Sequence, residues 1–381
     1  MKLIKIISIV ILIPLYLDAG IFDLIKDIFS SPPKQIQEPV QKQENTNTMQ
    51  ESVLDENNEE ITEEEYIEKV PFRRYPSVYK IAFLLPSNIG KYSSTTLNSA
   101  VSYLIRREIN FDIKTYRIYN ESFESIDRVL QNIGQRNYDL IIAPVTKKTA
   151  QNICYLDIQK LIYIPTINKN SIECQNPNIY FGGIDYQKQF GKLAKKTKNH
   201  SAVIINDDSL LVRTLNNDVQ MYFLPKAFIN IKNRKNLKWV ILKNRKLLNN
   251  SNIILNIPLV KSALFLSQLS LYSVKPKNVL STQINYDPKI FTLTQYSSRK
   301  KMMLANSIYK TYLKYSDAAE ILNADVRFDK VDYATMNGLD YFFVKSYPDR
   351  GRIFKESFYN NSLEYTTEIV KPSVGEFVRV Y

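Results

Sequence analysis

The run VYKIAFLL at residues 78–85, closed by Pro86 and Ser87, decides how the chain is read. Eight residues with one charge, bounded by turn formers, have the length and continuity of a strand buried on both faces of a parallel sheet. YDLIIAPV at 138–145 and LIYIPTI at 161–167 repeat the pattern. Between these runs, residues 95–109 have helical spacing through Leu97, Val101, Leu104 and Ile105. Residues 111–118 alternate as a strand, and 122–133 are helical through Ile126, Val129, Leu130 and Ile133. A short helix is predicted over 146–154. A second series follows: a strand at 202–205, a helix at 208–219, strands at 227–231, 238–242 and 252–257, an apolar helix at 259–271 and a strand at 279–282. Alternating strands and helices imply parallel sheets covered on both faces, and two series imply two lobes. Residues 364–370 and 377–381, on either side of Pro372 and Gly375, read as an antiparallel hairpin.

Composition narrows the chemistry. The chain has 381 residues, 44% apolar and 12% aromatic, enough for a sizeable core in two or three units or one two-lobed body. Nine glycines argue against a glycine-fingerprint nucleotide enzyme. One histidine, His200, and two cysteines exclude most zinc sites, Cys/His pairs and Ser/His/Asp triads. Asp207-Asp208 and the Ser-x-x-Lys spacing of Ser297 and Lys300 have no companion motif. No catalytic residue, metal or cofactor is therefore assigned, and the chain reads as a non-enzyme.

The N-terminal fifth differs from the rest. Lys2 and Lys5 precede an apolar run at 6–17 that is too short to span a bilayer, and Ala19 offers a small residue for cleavage before Gly20. Residues 1–19 thus read as a signal peptide, with an uncleaved anchor as the alternative. The first cysteine is Cys154, so no lipid-bearing cysteine follows; the expected product is periplasmic and not a lipoprotein. Residues 20–31 read as a short amphipathic helix with Ile21, Phe22, Leu24, Ile25, Ile28 and Phe29 on one side. It suits docking on a partner or a membrane surface, or simply extends the signal's apolar run. Residues 32–75 read as a disordered acidic linker. Over 35–75, eleven acids face four bases, a net of −7, and little can be buried to offset ordering entropy. The remainder, 76–381, holds 43 bases and 24 acids, a net of +19. That suits an anionic partner, a glycan polymer or a membrane surface, while export disfavours nucleic acid.

Over 76–381 the order of elements and several local phrases resemble the type I periplasmic binding proteins, the two-lobed receptors of amino-acid and sugar transporters. IAFLLP at 81–86 with Ser87 is similar to that family's first strand and polar turn. DLIIAPVT at 139–146 resembles its third strand, with Ala143 in place of the usual Gly. Ile164-Pro165-Thr166 resembles the fourth strand, where the family brings a ligand-binding hydroxyl. NIYFGGIDYQ at 178–187 resembles the passage across the first hinge. ATMNGLDYF at 334–342 resembles a later helix, with Asp340 matching its Asp. The nearest branch in feel is that of the penicillin-binding-protein activators. The resemblance implies an α/β fold of two lobes, each a mainly parallel sheet covered by helices, with a C-terminal antiparallel hairpin. Lobe 1 is expected at about 76–184 and 305–350, and lobe 2 at about 185–304 and 351–381.

In open α/β sheets ligands sit outside the carboxyl ends of the strands. The cleft candidates are therefore Ser87 and Asn88 after the first strand, Thr146 and Lys147 after the third, Thr166 and Asn168 after the fourth, Tyr186 at the hinge, and Asp207 in lobe 2. Ser, Thr, Asn and Asp also serve as caps and turn residues, which is the competing reading of each. Cys154 and Cys174 flank the fourth strand; an oxidising compartment favours a disulfide over two separately buried thiols. Two functions fit. The first is a non-enzymatic scaffold or regulator with a protein partner in a cell-envelope complex. The alternative is a solute receptor, taking a small amino-acid-like or anionic ligand to a transporter.

Overall fold

Strand and helix follow each other along nearly the whole of the described chain. The computed structural model describes residues 77–232, 236–309 and 317–381. The signal peptide, amphipathic helix and acidic linker lie outside these residues. Lobe 1 opens with β1 (Tyr79–Pro86), α1 (Gly90–Arg106), β2 (Phe111–Ile118), α2 (Phe123–Gly134), β3 (Leu140–Ile142), α3 (Lys147–Cys154), β4 (Ile162–Ile164) and β5 (Ile179–Phe181). The chain then enters lobe 2 as α4 (Tyr186–Ala194), β6 (Ser201–Asn206), α5 (Leu210–Gln220), β7 (Leu224–Asn230), α6 (Leu237–Lys243) and α7 (Arg245–Leu248). It continues as β8 (Asn252–Asn256), α8 (Leu259–Leu271), β9 (Asn278–Ser281), α9 (Lys289–Leu293), α10 (Tyr296–Arg299) and β10 (Met302–Asn306). It returns to lobe 1 with α11 (Asp317–Ile321), α12 (Lys330–Ser346), β11 (Phe358–Tyr359) and β12 (Ser362–Leu363), and ends in lobe 2 with β13 (Glu368–Pro372) and β14 (Phe377–Arg379).

Each lobe is built on a seven-stranded sheet. The orders are β11-β12-β5-β4-β3-β1-β2 and β14-β13-β10-β9-β8-β6-β7. In both, the first five strands run parallel in the spatial order 2-1-3-4-5, so the order reverses between the first and third strands. The C-terminal hairpin pairs Lys371 with Val378, and β13 lies antiparallel to β10. One expectation is corrected: β11 and β12 lie within 351–381, assigned from sequence to lobe 2, yet they extend the first sheet through Ser362 opposite Phe181. A second is also corrected. Residues 238–242 form part of α6 rather than a strand, with Leu237 and Ile241 buried four apart and Trp239 and Leu242 exposed. A five-residue apolar run carries no period long enough to tell the two apart.

The cores follow from the runs that announced them. On sheet 1, Ala82, Leu84, Ile141, Ala143, Ile162 and Ile164 pack beneath Ile126, Leu130 and Ile133 of α2 and Ala150 and Ile153 of α3. α1 and α12 pack against each other, and Tyr79 of β1 and Tyr103 of α1 both meet the Phe343 ring of α12 edge-on, 5.8 and 5.9 Å between centroids. In lobe 2, Ala202, Ile204, Ile254 and Leu280 pack with Phe190 and Leu193 of α4 and Leu215 and Val219 of α5. Each large apolar side chain so buried stabilises by about 1.5–3 kcal/mol. Cys154 and Cys174 are joined in a disulfide with Cα atoms 5.2 Å apart, tying the end of α3 to the segment before β5. No helix among the described residues is long and apolar enough to cross a membrane.

Candidate functional site

The carboxyl edge of sheet 1 is organised around a residue the strand-by-strand reading passed over. Glu121 leaves the end of β2, yet its carboxylate reaches the residues that follow β3 and β1. The Thr149 hydroxyl donates to Glu121 Oε1 at 2.6 Å, and the Thr146 hydroxyl donates to the same oxygen. The Asn88 side chain lies close enough to favour the charged carboxylate too. Thr146 is the N-cap of α3, its hydroxyl oxygen accepting from the Thr149 N–H at 3.2 Å. Burial raises the Glu121 carboxyl, but these three donors and the nearby Lys148 charge outweigh it and hold the group below its usual range.

The other lobe 1 candidates split. Ser87 is exposed, its hydroxyl directed at the Tyr119 carbonyl 3.4 Å away. Lys147 is exposed at the first turn of α3. Thr166 does not offer a free hydroxyl, because it donates to the Val145 carbonyl at 2.7 Å. Asn168 serves the hinge: Nδ2 donates to the Gly183 carbonyl at 2.9 Å, and Oδ1 accepts from the Asn170 N–H at 2.9 Å. A side chain at Gly183 would overlap the Ile167 backbone, which is why glycine stands where this passage presses against β4's exit.

At the hinge, Tyr186 opens α4 behind the N-cap Asp185. Its hydroxyl meets Lys330 Nζ from the first turn of α12, so the ring belongs to a contact between α4 and α12. Burial alone would lower the Lys330 ammonium; the Tyr186 and Tyr92 phenols and the Asp329 carboxylate hold it above its usual value. Behind it lies a buried polar girdle. Gln189 Nε2 donates to Ser307 Oγ at 2.8 Å, Gln189 Oε1 accepts from the Gln283 N–H at 2.9 Å, and the Ser307 and Thr367 hydroxyls are 3.0 Å apart.

In lobe 2, Asp207 is paired with Lys261 Nζ at 2.6 Å and caps the Ser209 N–H at 3.1 Å. Burial pushes its carboxyl up, but the Lys261 and Ser209 bonds prevail and lower it. Asp218 goes the other way: burial and the Asp185 charge raise it, against a Gln187 bond and the Lys147 charge from lobe 1. Asn206 and Asn256, side by side at the ends of β6 and β8, mark this lobe's reversal of strand order. Their carboxamide oxygens, the Thr282 hydroxyl, Gln283 Nε2 and Asn285 Oδ1 are buried without a hydrogen-bond partner. These are five of the eight such side-chain atoms among the described residues, so most of them gather at one strand edge.

Candidate residues thus fall in three places: Ser87, Asn88, Thr146 and Lys147 at the lobe 1 edge, Thr166, Asn168 and Tyr186 around the hinge, and Asp207 at the lobe 2 edge. Glu121, Asn206 and Asn256 went unread. The signal for the asparagines was available, since Asn206, Asn230, Asn256 and Asn306 all end parallel strands. Among the described residues no group of three His, Cys, Asp or Glu side chains is placed to hold a metal.

No family model matches the chain, and no curated protein matches it. Solved structures do resemble it. A branched-chain amino acid ABC transporter protein from Thermus thermophilus with bound valine aligns over 80% of this chain and 95% of its own, at TM-score 0.58 and 12% identity. A solute binding protein of an ABC transporter from R. palustris, in complex with benzoate, aligns over 80% and 95%, at TM-score 0.53 and 10% identity. An extracellular ligand binding receptor from Desulfohalobium retbaense aligns over 79% of this chain at TM-score 0.57 and 11% identity, the match spanning only 59% of that protein. At such identities the likeness is one of architecture: the described part of the chain has the two-lobed fold of the type I periplasmic binding proteins.

Proposed function

We propose that this protein is a solute receptor, closing two lobes on a small ligand, and that it performs no catalysis. The observation that carries the reading is the gathering of five buried, unpartnered polar atoms at the carboxyl edge of lobe 2. Unpaired polar groups cost about 1–3 kcal/mol each, and a polar ligand or ordered water is what meets them. The strand edge is where ligands of open α/β sheets bind. Valine and benzoate in proteins of the same fold support a small-molecule reading above the scaffold role favoured from sequence alone. Ser297 and Lys300, whose spacing resembles a nucleophile pattern, are both exposed. The proposed site of action is outside the cytoplasm, in line with the signal-like N-terminus and the Cys154–Cys174 bridge.

A second reading, an interaction protein, has its own observation. From Val219 to Tyr286 the chain has eleven Lys or Arg and no Asp or Glu, and Trp239 on α6 lies 62% exposed within that stretch. A cationic stretch that carries an exposed Trp suits an anionic partner.

Thermal-shift screening of amino acids, amines, organic acids and sugars separates the two. A ligand at a hundred times its Kd stabilises by about 2.7 kcal/mol, a clear rise in Tm. A panel without a reproducible rise overturns the receptor reading.

A further inference from the structure

Glu121 is a carboxylate at the lobe 1 edge held by neutral hydrogen-bond donors rather than by an ion pair, with the Lys148 charge nearby. Its partners Thr146, Thr149 and Asn88 are neutral donors, and among the described residues no Lys or Arg forms an ion pair with it. The contrast within the molecule is sharp: Asp207 has Lys261 at 2.6 Å, and Asp340 has both Arg107 and Arg352. The position matters as much as the charge. Glu121 belongs to the exit of β2, but it bonds the residues after β1 and β3, so its carboxylate lies across the point where the strand order of sheet 1 reverses. It also engages the cap of an eight-residue helix whose first turn favours an anion.

We propose that Glu121 supplies, from the protein's own chain, the carboxylate of the lobe 1 half of the cleft, and that the cleft therefore selects organic cations rather than solutes that enter carboxylate first. The hydroxyls of Thr146 and Thr149 are already committed to Glu121. An incoming carboxylate meets like charge and spent donors. An ammonium group meets a counter-charge held in place by the Thr146 and Thr149 hydroxyls, and shares it with the nearby Lys148 charge. This replaces the amino-acid-like or anionic ligand expected from sequence. The second half of the proposal rests on the receptor reading; the first half does not.

Two variants test it. Glu121→Ala empties the cradle, and Glu121→Gln keeps its shape while removing the charge. Tm is measured for wild type and both variants in sodium acetate, in glycine and in chloride of matched ionic strength, then with putrescine, ethanolamine and choline. Acetate and glycine are expected to raise the Tm of Glu121→Ala by at least about 2 °C and to leave wild type unmoved. At least one of the amines is expected to raise the wild-type Tm, with the rise lost in Glu121→Gln. An acetate response that is equal in wild type and Glu121→Ala, or missing from both, overturns the placement of Glu121. An amine response that survives in Glu121→Gln, or an absent one in wild type, overturns the selection of cations. A wild-type protein that takes up a carboxylate solute overturns the proposal while upholding the receptor reading. Acetate rescue of Glu121→Ala in a protein that answers no solute upholds the place of Glu121 and sinks the receptor reading instead.

Discussion

Asp340 illustrates how much one buried charge can organise. Its carboxylate accepts from Tyr103 at 2.8 Å, from Arg352 Nε at 3.0 Å, from Arg107, and from the N–H groups of Ile353 and Phe354 at 3.0 and 3.1 Å. It pins α1, α12 and the segment after α12 to one point. The sequence offered it as a match to a family phrase; what makes it indispensable is that two guanidinium groups would be left unpaired without it. Asp340→Ala is expected to cost about 3–5 kcal/mol, read as a lower urea midpoint. Asp332, eight residues earlier on the same helix, behaves differently. Burial first, and then the Asp329 and Asp325 charges, raise its carboxyl to about 7, although the Ser99 hydroxyl and the Asp325 N–H oppose the rise. An unfolded Asp titrates near 4, so between about pH 4 and pH 7 the folded state keeps a proton that the unfolded state gives up. Its contribution is complete below about pH 4 and is lost as pH climbs through about 7. Asp332→Asn is expected to flatten that decline in an otherwise matched pH–stability series; an unchanged slope would count against the assignment.

At the scale of elements, the continuous apolar strands were legible because burial on both faces writes itself into composition. β1, β2 and α8 fall where their patterns put them. Short segments were not legible: β5 is three residues inside a glycine passage, and α6 exposes the Trp and Leu that made it look like a strand. The fit around Tyr163 was hidden altogether. This buried β4 ring donates its hydroxyl to the Ala334 carbonyl of α12 at 2.5 Å, and a side chain at either Gly182 or Gly338 would overlap it. Gly338→Ala is therefore expected to destabilise, by about 1–3 kcal/mol as overpacking does, although alanine favours helix; a more stable variant would refute the packing argument. The disulfide closes a loop of about twenty residues across β4. In the chain-entropy model, replacing both cysteines by serine costs about 3 kcal/mol, visible as a Tm drop that reduction of the wild type reproduces.

For the whole molecule, the two-lobed plan was legible from the repeated series, and the partition of its last thirty residues was not. Strand pairing decides that partition, and β11 and β12 are two residues each, too short for any periodicity. The site was partly legible for a related reason. Ser, Thr and Asn at strand ends announce themselves, but Glu121 acts on strands other than its own, which only the sheet order reveals. The last strands also carry weight at this scale. Ile369 enters the lobe 2 core, and the Phe377 ring packs at a tilt with its centroid 4.4 Å from that of Tyr286 and 4.8 Å from that of Phe291. Deleting residues 368–381 would uncover the edge of β10, and the shortened chain is expected to self-associate on size-exclusion chromatography where the full chain does not.

The returning path of the chain has a consequence for its birth. α1 is complete once residue 106 has been made, but its partner α12 ends at residue 346. At ordinary rates of synthesis the interval is roughly 10–50 s, during which Tyr79 and Tyr103 wait without the Phe343 ring that later seals them. Such a nascent chain offers a holdase chaperone a long period of access to one particular helix face. Ribosome-bound chains arrested near residue 320 should be cut within α1 by a protease that spares the released protein, and resistance at that stage would mean that lobe 1 closes without its last helix.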